Sequence, residues 1–109
     1  MAAKNRLDPT VRNTFNCALL NGSYQALGVG FASDLAIYKV YNSSANDVDV
    51  SFDGIDDHDV IPGNGTFILD VQANKEGDRA AWPAGRVMYV KGTAAAGTIY
   101  EMGYTLKRA

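Results

Sequence analysis

The sequence predicts an all-β chain: a small antiparallel, jelly-roll-like β-sandwich preceded by an N-terminal arm or short helix. Three observations carry this reading. Runs rich in β-branched and aromatic residues recur roughly every ten residues, the spacing of sandwich or barrel strands. Turn formers separate them, at Asn42-Ser43-Ser44, Asp53-Gly54 and Pro62-Gly63-Asn64-Gly65. Within the runs, apolar residues alternate with period two.

The 109 residues amount to one domain's worth of chain, enough for a single core. The expected division is an arm or short helix over 1–33 and a sandwich over 34–109. In the first part Val11, Phe15, Ala18 and Leu19 fall at helical spacing. Asp8-Pro9 suits a helix start, while Asn13, Thr14 and Asn16 weaken the pattern. An extended arm that orders on a partner is the alternative.

The strands follow in order. Residues 35–41 are aliphatic and aromatic and end at the Asn-Ser-Ser turn. Residues 47–53 alternate, with Val48, Val50 and Phe52 on one face and aspartates or serine on the other. A short extended piece at 58–61 leads to the Pro-Gly-Asn-Gly turn, and 66–71 alternates through Phe67, Leu69 and Val71. Residues 86–91 and 98–106 are expected to pair as a hairpin across 92–97. In the last strand Tyr100, Met102, Tyr104 and Leu106 share a face. Gly103 marks a bulge or a close backbone approach. Val48, Val50, Phe52, Phe67, Leu69, Val87 and Tyr89 are expected in one core.

Charge and composition narrow the chemistry. Ten basic and twelve acidic residues give a net charge of −2, which disfavours nucleic acid as a partner. No apolar run reaches the ~20 residues that span a bilayer, and residues 1–12 do not read as a secretory leader. One histidine, His58, and one cysteine, Cys17, cannot build a zinc site. Cys17 lies among Phe15, Ala18 and Leu19 and reads as a small buried hydrophobe. Gly28-Val29-Gly30 lacks the flanking strand and helix of a phosphate-binding loop. No catalytic residue, metal site or cofactor is expected, and the chain reads as a non-enzyme.

Six of the twelve acids, Asp47, Asp49, Asp53, Asp56, Asp57 and Asp59, fall within residues 47–59. The spacing is not that of an EF-hand, so this reads as a solvated loop that folds without Ca²⁺. Trp82 precedes a strand, where it plugs one end of the core or offers an aromatic contact to a sugar or protein. Three Asn-X-Ser/Thr triplets, beginning at Asn21, Asn42 and Asn64, read as turns.

From Gly22 onward, several features resemble small β-sandwich virion proteins of tailed bacteriophages. They are Gly22-Ser23-Tyr24-Gln25-Ala26-Leu27-Gly28, the Asn42-Ser43-Ser44 strand end, Val50-Ser51-Phe52-Asp53-Gly54, Pro62-Gly63-Asn64-Gly65 before Phe67-Ile68-Leu69-Asp70, and Val90-Lys91-Gly92-Thr93 before Gly97-Thr98-Ile99-Tyr100. The resemblance implies a structural protein of the virion, present in multiple copies at the head–tail neck (collar or connector) or as capsid decoration. Its implied partners are copies of itself and a portal, neck or major capsid protein. The residues expected at those interfaces are Phe15, Leu19, Leu20, Tyr24 and Trp82, with Phe15, Leu19 and Leu20 on an adjacent subunit. A carbohydrate-binding module is the alternative, using Trp82, Tyr24 or a Ca²⁺ on the 53–59 loop.

Overall fold

The computed structural model describes residues 6–70 and 82–107. Within them lie nine strands and one 3-10 turn. The strands are β1 (Arg6–Pro9), β2 (Asn13–Asn16), β3 (Gln25–Ala26), β4 (Ile37–Asn42), β5 (Val48–Ser51), β6 (Asp59–Ile61), β7 (Thr66–Asp70), β8 (Tyr89–Gly92) and β9 (Thr98–Lys107), and the turn is Cys17–Leu19. A front sheet runs β1-β9-β4-β7, with β2 also on β9, and a back sheet runs β3-β8-β5-β6. Every strand ladder among the described residues is antiparallel. The two sheets form the β-sandwich that the period-two runs predict.

Of the two forms open to the first segment, the extended one is found, ordered on the chain's own sheets. Its 3.6-residue pattern does not make a helix. Asn13, Thr14 and Asn16 favour non-helical backbone, and pairing along β9 satisfies that backbone instead. Pro9 lies opposite Tyr104 and Asn13 opposite Glu101, so residues 10–12 face only 102–103. β1 and β2 are therefore one edge strand with a one-residue bulge. Thr10 closes the bulge: its N–H donates to Gly103 O at 2.9 Å, and its Oγ1 accepts from Gly103 N at 3.0 Å. Helix survives as the single Cys17–Leu19 turn, capped by Asn16, whose side chain accepts from Ala18 N. Residues 6–33 thus belong to both sheets, because β3 pairs with β8.

The expected hairpin of 86–91 with 98–106 does not form. β8 pairs with β5 and β3, whereas β9 pairs with β4 and the edge strand. Val90 and Ile99 are both buried, and crossing between sheets lets each face the shared core. The crossing is tied to the 3-10 turn, with Cys17 N donating to Gly97 O and Ala95 N donating to Cys17 O.

The core joins Tyr38, Val40 and Ile99 of the front sheet to Val48, Val50, Ile61 and Val90 of the back sheet. Cys17, Leu20, Leu27, Leu35, Trp82 and Met88 complete it. Phe52, Phe67 and Leu69 pack against it as expected. Val87 and Tyr89 do not; the neighbouring Met88 and Val90 are buried instead, a one-residue shift that exchanges the two faces. Gly103 is required where β9 crosses Leu35, since a Cβ there would lie 2.5 Å from both Ile37 O and Leu35 Cδ1.

Candidate functional site

The residues expected at interfaces scatter. Leu20 is buried in the chain's own core, and Phe15 packs against that core. Leu20 is thus taken up within the chain itself, whereas Phe15 stays half-buried, with part of its ring at the surface. Leu19 is 60% exposed. Trp82 is 3% exposed and plugs the core, stacked on Tyr38 with ring centroids 3.8 Å apart and planes 7° from parallel. Phe52 meets it edge-on and Arg86 lies over its ring. This burial removes Trp82 as a sugar or partner contact.

Tyr24 stands on the back sheet's outer side as part of an ionic cluster. Its hydroxyl donates to Asp57 Oδ1. Lys91 Nζ lies 2.9 Å from the same oxygen and 4.6 Å from the Tyr24 ring centroid. Desolvation and then Asp57 push the Tyr24 phenol up, while Tyr24 and Lys91 hold the Asp57 carboxyl below its usual range.

The acidic loop is built by its own side chains. Asp53 Oδ1 accepts from Ile55 N at 2.8 Å, Asp56 N at 3.0 Å and Ser51 Oγ at 2.8 Å. These donors favour the carboxylate, the two backbone bonds most, and lower its pKa to about 2. His58 Nδ1 accepts from Phe52 N at 2.9 Å, which puts the proton of the neutral ring on Nε2. Asp53, Asp56 and His58 bring ligand-type atoms within 4.8 Å of one another, all on exposed residues. Two of these residues already spend an oxygen or nitrogen on shaping the loop. Ile55, at its tip, is 80% exposed.

A second polar group sits inside. Glu101 is 2% exposed. Its Oε2 accepts from the Tyr38 hydroxyl at 2.5 Å and its Oε1 from Asn13 Nδ2 at 2.9 Å. Burial raises its pKa, with both hydrogen bonds opposing the rise. The cluster fastens the edge strand to β4 through β9.

The outer face of the front sheet is the least ordinary surface. Inward Tyr38, Val40 and Asn42 alternate with outward Ile37, Lys39 and Tyr41 on β4, and Tyr100, Met102 and Tyr104 alternate with buried Ile99 and Glu101 on β9. Cross-strand rows follow from the register: Tyr100 beside Tyr41, and Met102 beside Lys39 beside Ile68. The Tyr41 and Tyr100 rings lie 6.1 Å apart and 12° from parallel, and the Arg12 guanidinium sits 4.8 Å over Tyr100. With Lys39, Thr66 and Met102 they line an open cleft of about 320 Å³. Ile68 beside it is 56% exposed. The shared face of Tyr100, Met102 and Tyr104 was visible in the sequence; which way it pointed was not.

Fold and surface together define a class: a two-sheet antiparallel β-sandwich with one apolar, aromatic outer face. No family model matches the chain, and no curated protein or solved structure matches it.

Proposed function

We propose that this chain is a non-enzymatic structural subunit that acts in multiple copies. The observation that supports this is the outward face of the front sheet, where half-buried Ile37, Tyr41, Tyr100, Met102 and Tyr104 and exposed Ile68 surround Lys39. A strand apolar on both sides suits a sheet that is covered on both sides. Contiguous exposed apolar surface marks association sites in soluble proteins. The setting, the virion of a tailed phage at its neck or capsid surface, rests on the turn and strand-edge resemblance. Sedimentation velocity of the purified chain tests the assembly part: association that rises with concentration supports it. Mass measurement of intact particles and the identity of the flanking reading frames test the setting.

A carbohydrate-binding module is the second reading. The half-buried parallel tyrosines beside Thr66 favour it, since sugar rings stack on aromatic faces. A glycan array separates the two, as saturable binding lost in Tyr100→Ser would favour the module.

A further inference from the structure

The front-sheet cleft and the 53–59 loop are chemical counterparts. The cleft is lined by Tyr41, Tyr100 and Met102 and by two cations, Lys39 and Arg12, the latter over the Tyr100 ring. Among the described residues neither cation has a salt bridge to an acid. The loop presents one apolar side chain, Ile55, between Asp53 and Asp56, all exposed. Asp53 is held as a carboxylate and the loop is fixed by its hydrogen bonds, so the tip is preorganised. The loop cannot fill its own cleft, because it joins two back-sheet strands while the cleft lies on the outer side of the front sheet.

We infer that Ile55 of one copy docks in the Tyr41–Tyr100 cleft of the next, with Asp53 and Asp56 facing Arg12 and Lys39. The inference rests on the assembly reading and names its partner, a second copy of this chain. Knob and socket lie on different surfaces, so the contact is heterologous and continues from copy to copy into a ring or filament. The apolar centre supplies affinity, and the opposed charges set orientation and make association salt-sensitive.

The test is sedimentation velocity on the full chain at rising concentration, in low and high salt, with Ile55→Ser as the knobless variant and R12E/K39E as the socketless one. All three positions lie at the surface, and circular dichroism checks that each variant is folded. The native chain should form species larger than a dimer, more weakly in high salt. Each variant alone should lose at least about tenfold in association. Mixed one to one, the variants should form a dimer that grows no further, since one working knob meets one working socket. If the native chain associates and Ile55→Ser associates equally well, the contact is face to face; the inference falls and the assembly reading stands. If the native chain stays monomeric at all concentrations, both fall.

Discussion

Trp82 lies flat against Tyr38, with ring centroids 3.8 Å apart, and the same tyrosine donates to Glu101 Oε2. One end of the sandwich is thus sealed by a stacked pair whose lower ring anchors a buried carboxyl. Removing the upper ring opens a large cavity, so Trp82→Ala should cost about 3–5 kcal/mol in urea unfolding. Trp82→Phe should cost clearly less. Trp82 Nε1 is buried without a hydrogen-bond partner, so losing it gives up packing but no hydrogen bond.

Glu101 sets a pH dependence of definite sign. Its folded-state pKa is raised, so the folded chain holds that proton more tightly than the unfolded chain does. Its contribution is therefore full below the unfolded value and is lost as pH rises through the folded value. Glu101→Gln should be at least as stable as the native chain at pH 7 and should flatten the decline that sets in as pH rises above the ordinary Glu range. Glu101→Ala should instead cost about 2–5 kcal/mol, from the cavity and the two donors left unpaired. Denaturant unfolding across a pH series reads all three.

Asp53 works in the opposite direction. Its folded pKa of about 2 lies below the ordinary carboxylate value of 3.8. Its contribution is present above 3.8 and is lost as pH falls toward 2. Asp53→Ala should erase that acid-side loss and raise amide exchange at Ile55 and Asp56. A chelator should leave the melting temperature of the native chain unchanged, since side-chain hydrogen bonds within the chain hold the loop.

Deletion of residues 1–20 should abolish cooperative thermal unfolding. The deleted stretch contains the whole edge strand on β9 and removes buried Cys17 and Leu20 from the core. A truncated chain that still melted sharply would show that the remaining strands suffice.

Gly103→Ala tests the crossing over Leu35. A Cβ placed 2.5 Å from a backbone oxygen and a buried methyl must force the sheet apart, at about 1–3 kcal/mol. The melting temperature should fall with no change in far-ultraviolet dichroism.

The strands were legible because alternation in Val48-Asp49-Val50 and Thr66-Phe67-Ile68-Leu69 requires only local geometry. Gly103 was legible for the same reason: a glycine inside a strand needs an explanation in close packing. The edge strand was not, since Val11, Phe15, Ala18 and Leu19 carry a helical spacing that distant β9 overrides. The hairpin failed because Val90 and Ile99 are equally apolar, and the sequence does not say that they face each other from opposite sheets. Of the site, the acidic loop was plain as a run of charge. The cleft was not, because Arg12, Lys39, Tyr41 and Tyr100 come from three strands or their flanks and meet only through the register.

β9 binds the edge strand on one side and β4 on the other, yet it is the last described element to be synthesised. As the chain leaves the ribosome, β4 and β7 can pair early, but the front sheet must wait for its central strand. Until residue 107 emerges, β4 offers an open edge and Tyr38 lacks its carboxylate partner. The growing chain thus carries unpaired strand edges and uncovered apolar surface through most of its synthesis, the state in which β-rich chains aggregate. A slower terminal stretch of translation would lengthen that exposure, and crowded copies on one message would meet in it before any had folded.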